Sequence, residues 1–170
     1  MSLWNALKPI LVGGLVAGTL DLIAACVSAW LQSRVTPARV AQFIASGALG
    51  PTAFTGATKS VLLGVAFHYL IATTATVVFY LASRKLLFLI KWPIPMGLLY
   101  GVAVYLFMNF VVLPLSAITR RGTPTLSSRA LQASIIMFCV GLPIALIVSR
   151  YSKNNDARLV LPDTVEADPV

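Results

Sequence analysis

Two side chains in this sequence could exchange a proton inside a membrane: Asp21 and His68. They are the one carboxylate and the one imidazole within four long apolar stretches, which run roughly over 9–31, 60–83, 93–118 and 130–149. An unpaired charge at mid-bilayer is expensive, and such residues usually turn toward a partner, a relay or a water-filled path. A rise of about 1.5 Å per residue, counted from Lys8, puts Asp21 roughly 20 Å from the N-terminal side of the membrane. Counted from Lys59, it puts His68 roughly 13 Å from the opposite side of a core about 30 Å thick. If the first two stretches are antiparallel neighbours, the two groups fall within about one helical turn of each other. The expectation is a buried Asp21 and His68 pair, hydrogen-bonded or ionic. Asn109 or a hydroxyl such as Thr73 are alternative partners for the acid. Such a pair could act as glue between helices or pass a proton near neutral pH.

The stretches that hold these groups dictate the fold class. About 20 apolar residues make a helix long enough to cross the hydrocarbon, and in lipid only helices and closed barrels satisfy their own backbone. The reading is therefore an all-α integral membrane bundle of four transmembrane helices, residues 1–151. Gly14, Gly18, Asp21, Ala25 and Ser28 share one stripe of the first helix, and Gly64, His68, Ala72 and Ala75 share one face of the second. Gly97 and Gly101 form a second G-x-x-x-G, continued by Tyr105 and Asn109 at four-residue steps. Small residues let helix backbones approach closely, so Gly14, Gly18, Gly64, Gly97 and Gly101 are expected at packing surfaces. Pro93 and Pro95 suit a first helical turn; Pro114 and Pro143, inside the third and fourth stretches, predict kinks that a membrane bundle tolerates.

Composition agrees with this class. The chain is 58% hydrophobic and only 11% charged, against about 25% charged in soluble domains, and its mean hydropathy is +0.88. The net charge of +8 does not point to nucleic acid. Its basic residues flank the apolar stretches, where anionic headgroups lie, and Trp4, Trp30, Trp92, Tyr80 and Tyr151 also sit at stretch ends, as interface aromatics do. With the N-terminus inside, seven basic residues fall on the cytoplasmic side and six on the other. That bias is slight. An even number of spans puts both termini on one side, read as cytoplasmic. Cys26 and Cys139 lie inside spans, so neither a disulfide nor a metal spacing is expected. Ile23 to Cys26 resembles a lipoprotein cleavage site, but Asp21 would interrupt the apolar region of such a signal.

Between the first two spans, Thr36 and Pro37 read as a helix start. Val40, Phe43 and Ile44 recur opposite Arg39 and Gln42, so residues 37–46 are expected to form a short interfacial helix with its apolar side in the acyl chains. A re-entrant hairpin is the alternative. Arg39 and Gln42 could hold a lipid phosphate. The polar, acidic residues 152–170 are expected to be disordered, and no internal repeat is evident.

The stretches Gly13 to Asp21, Arg39 to Gly47 and Leu99 to Asn109 resemble those of an uncharacterised family of small bacterial inner-membrane proteins, the YagU-like group, across roughly residues 11–115. The resemblance implies a bacterial cytoplasmic membrane and a single four-span domain, and it brings no activity with it. In size and in a first-span acid the chain is also similar to small multidrug transporters, which use Glu and have shorter loops. No residue set suggests a catalytic, cofactor or metal site, because one histidine and one acid on different helices make no triad without a serine to activate. The expected function is thus a non-enzymatic packing or assembly component of the membrane, in contact with the lipid bilayer and with a second copy or a larger complex. The alternative is a small proton-linked transporter or channel using Asp21 and His68.

Overall fold

The computed structural model describes residues 3–118 and 125–160. Helix α1 runs over Leu3–Ser33, α2 over Pro37–Leu49 and α3 over Ala57–Lys85, followed by the short α4 at Phe88–Lys91. Helix α5 (Pro93–Phe107) continues through Met108–Val112 into α6 (Leu113–Leu115), and α7 (Leu126–Ile136) continues through Met137–Gly141 into α8 (Leu142–Val160). Among the described residues, four helical segments, Ala6–Ser33, Ala57–Lys85, Pro93–Leu115 and Leu126–Ser152, are long and apolar enough to cross a membrane. The fold is an all-α four-helix bundle.

Several boundaries move from their expected places. The third span leaves its helix at Ser116, which is extended (φ −85, ψ 159), and the next amide, Ala117 N–H, donates to the Gly47 carbonyl of α2 at 3.0 Å. The fourth span starts at Leu126, earlier than the expected 130, because Thr125 caps it by accepting from Ser128 N–H. Helix α8 persists to Val160, past the point where disorder was expected. The acids Asp163, Glu166 and Asp168, and the pair Arg120 and Arg121, lie outside the described residues.

The two intramembrane prolines act through a specific backbone change. Proline offers no N–H to the carbonyl four residues earlier and crowds it. In both spans the turn before the ring widens so that bonds skip five residues: Leu113 N–H donates to the Met108 carbonyl, and Leu142 N–H to the Met137 carbonyl. The backbone bulges there, as single π turns do.

Packing follows the small residues. Helix α1 lies along α3 and α8, while α5 lies along α8 and the bulge at Met137–Gly141. Gly97 and Gly101 receive that bulge: a methyl group on Gly97 would stand 2.8 Å from Ala145 Cβ, and one on Gly101 would stand 2.5 Å from Met137 Cα. Ala17, Phe79, Tyr80, Val140, Ile144, Ala145 and Val148 form the core. These come from early α1, late α3 and the end of the fourth span, so the dense half of the bundle is the half nearest both termini. Tyr80, expected at the interface with the tryptophans, belongs to this core at 7% exposure.

Helix α2 departs most from expectation. It runs to Leu49, past the expected 46, and ends at Gly50 in the left-handed region (φ 60). Its buried residues are Ala41, Ala45 and Ser46, while Phe43, on the side expected to face the acyl chains, is exposed. The helix folds back onto α3, and the Ala41 carbonyl occupies the space a side chain at Gly64 would need. A backbone carbonyl cannot step aside, so Gly64→Val is expected to destabilise the protein by about 3 kcal/mol. Gly47→Ala, whose nearest neighbours stand 3.8 Å away, should cost less than about 0.5 kcal/mol. Unfolding of both variants in detergent micelles measures the difference.

Candidate functional site

The seam between α1 and α3 is built from residues too small to keep the backbones apart. A methyl group on Gly14 would meet Thr73 Cα at 2.8 Å, one on Gly13 would meet Thr76 Cγ2 at 2.7 Å, and one on Gly18 would meet the Tyr69 ring at 2.9 Å. This approach lets side chains of one helix reach the main chain of the other. His68 Nε2 lies 2.8 Å from the Gly18 carbonyl oxygen. A carbonyl can only accept, so Nε2 carries the hydrogen. One residue along each helix, Thr19 Oγ1 and Tyr69 OH are 2.9 Å apart.

Asp21 completes the group. Its Oδ2 is 3.9 Å from His68 Nε2, and the two side chains are 23% and 13% exposed. The structure brings the two groups to ion-pair distance, too far for a hydrogen bond. The ring atom nearest the acid is the one whose hydrogen is already given to Gly18. Direct transfer of a proton from Asp21 would need a bare ring nitrogen facing the acid, which this arrangement does not present. Further along the Asp21 stripe, away from the termini, Gln32 Nε2 donates to Ser28 Oγ at 2.7 Å.

Other expected site residues separate from this group. Asn109, in the widened turn of the third span, donates its amide to the Tyr105 carbonyl of its own helix at 2.9 Å. Thr73 packs on Gly14. Arg39 and Gln42 meet through a long contact of 3.4 Å, and the Arg39 guanidinium lies 4.3 Å above the Phe54 ring, so their exposed corner is organised around an aromatic face. Among the described residues no three His, Cys, Asp or Glu side chains gather into a metal-holding group.

Three contributors went unread in the sequence. Tyr69 and Thr19 flank the pair but look like ordinary span residues. Tyr100 donates to the Ala75 carbonyl at 2.6 Å and meets Phe79 edge-on at 5.0 Å, tying α5 to α3. The widened turns did leave a signal: Met108 to Pro114 and Met137 to Pro143 share the pattern M-x-x-V-x-L-P, a short repeat in which Gly141 stands at the crossing with Gly97 and Gly101.

Comparison with known proteins finds no matching family model, no matching curated protein and no matching solved structure. The site is therefore read from its geometry. If Thr19 and Tyr69 act as one interhelical bond, Tyr69→Phe and Thr19→Val should each lower stability by about 1 kcal/mol. The double variant should lose little more than either single one, which a thermodynamic cycle in micelles measures.

Proposed function

We propose that this chain is a non-enzymatic packing or assembly component of a bacterial cytoplasmic membrane, with both termini on the cytoplasmic side, in which Asp21 and His68 clasp the first two spans together. The observation that carries this reading is the 2.8 Å bond from His68 Nε2–H to the Gly18 carbonyl, which commits the imidazole to holding α1. The likeness of Gly13 to Asp21, Arg39 to Gly47 and Leu99 to Asn109 to the YagU-like group supports the bacterial membrane. Gly14, Gly18, Gly64, Gly97 and Gly101 are all occupied within the chain, so a partner must be met elsewhere. The third span is the least covered of the four, and its Leu99, Leu106 and Phe110 face outward. That face is the one assigned to a second copy or a larger complex.

The second reading is a proton-linked transporter, favoured by the 3.9 Å approach of Asp21 to His68 and by Ser28 and Gln32 continuing its stripe toward the far side. Asp21→Asn and His68→Gln separate the two. For the clasp, His68→Gln lowers stability by about 1 kcal/mol, and wild-type protein in liposomes with an entrapped pH dye moves no protons above the lipid background. Proton flux by the wild type that Asp21→Asn abolishes, with unfolding unchanged, would establish transport instead. Native mass spectrometry on protein extracted gently from its membrane should find it with a copy of itself or with a larger partner. A strictly monomeric species would overturn the assembly reading.

A further inference from the structure

The four helices close into a ring at three seams, and the fourth, between α3 and α5, stays apart. The two helices touch at one end through Tyr100 OH and the Ala75 carbonyl, 2.6 Å apart. At the other end the chain leaving the third span is tied by Ala117 N–H to the Gly47 carbonyl of α2 at 3.0 Å, and α2 is itself seated on α3 at Gly64. Between these ties lies a cleft of about 310 Å³ whose walls include Leu70 and Thr74 of α3 and Ala103, Val104, Phe107 and Met108 of the third span. Its two polar wall groups are spent on backbone: Thr74 Oγ1 donates to the Leu70 carbonyl at 2.8 Å, and Tyr100 OH to Ala75. The cleft offers hydrocarbon to whatever enters from the side.

The ties at both ends rule out a helix as the occupant. A helix is about 10 Å across and would need an open-ended groove, whereas a space of this volume takes a thin flexible rod. Charge indicates the other end of that rod. Lys59 stands in the first turn of α3, exposed, eleven residues before Leu70. Eleven residues make three helical turns to within about 20°, so both lie on one stripe, about 16 Å apart along the axis. That is about half of a 30 Å hydrocarbon core, the distance between a headgroup and the end of its own acyl chain at the bilayer midplane. Leu62, Ala66, Leu70 and Thr74 along this stripe are all exposed, leaving the track from Lys59 to the cleft open to the bilayer.

We propose that the cleft between the second and third spans seats one acyl chain of an anionic phospholipid whose phosphate is held by Lys59. This goes beyond the assembly reading and does not depend on it: none of Leu99, Leu106 and Phe110 lines the cleft, whose edge at Ala103 borders their face.

The test uses the full chain in a maltoside detergent, with phosphatidylglycerol or phosphatidylcholine added, and native mass spectrometry to count retained lipid. Wild type is expected to keep one phosphatidylglycerol. Ala103→Trp and Leu70→Trp, which fill the cleft from opposite walls, should each lower retention about ten-fold. Val78→Trp, on exposed α3 surface outside the cleft walls, should leave it unchanged. Lys59→Gln should remove the preference for phosphatidylglycerol over phosphatidylcholine. Using two wall variants, with unfolding temperatures matched to wild type, keeps the result free of misfolding in either one. Undiminished retention in both would overturn the proposal, as would a preference that survives Lys59→Gln. So would a dimer that both tryptophans dissociate, which would make the occupant a second copy of this chain.

Discussion

Everything in the bundle depends on how near α1 comes to α3. In hydrocarbon a polar side chain has no water to fall back on, so His68, Asp21, Tyr69 and Thr19 can be accommodated only if the opposing helix is within reach. Gly13, Gly14 and Gly18 give that reach by removing side chains where Thr76, Thr73 and Tyr69 arrive. The glycines and the polar residues are thus one arrangement. The first are tolerable in a span because they permit packing; the second are tolerable because the packing supplies the Gly18 carbonyl and an acid at ion-pair distance.

The same economy of small residues distributes density unevenly. Late α3, early α1 and the end of the fourth span pack around Phe79, Ile144 and Val148, all nearly inaccessible. Toward the other membrane face the third span is held by two hydrogen bonds, Tyr100 to Ala75 of α3 and, from the chain leaving it, Ala117 to Gly47 of α2. Asp21 and His68 sit where the compact half gives way to the looser one.

Most of the architecture was legible in the sequence because the bilayer simplifies the problem. Apolar length gave the four spans, and G-x-x-x-G spacing gave the packing faces of Gly14, Gly18, Gly97 and Gly101. Depth counted from Lys8 and Lys59 brought Asp21 level with His68. What the sequence hid depends on atoms meeting in three dimensions. No periodicity says that His68 would spend its hydrogen on a carbonyl in place of the Asp21 carboxylate. The spacing of Val40, Phe43 and Ile44 marked the side of α2 expected in the acyl chains, where Phe43 is exposed, but it gave no sign that Ala41, on a neighbouring face, is small enough to lie against Gly64 of α3.

The widened turns at Met108–Val112 and Met137–Gly141 carry a consequence for how this chain can vary in length. Inserting or deleting one residue in a regular helix rotates everything beyond it by about 100°, which in a buried span turns a packing face toward lipid. A π turn already contains one residue more than the α-helical path requires. Losing Pro114 or Pro143 itself would let that turn tighten and leave the flanking faces in register, because the ring that crowds the preceding carbonyl would go with the extra residue. These two places are where evolution could shorten the spans by a single codon without dismantling the bundle.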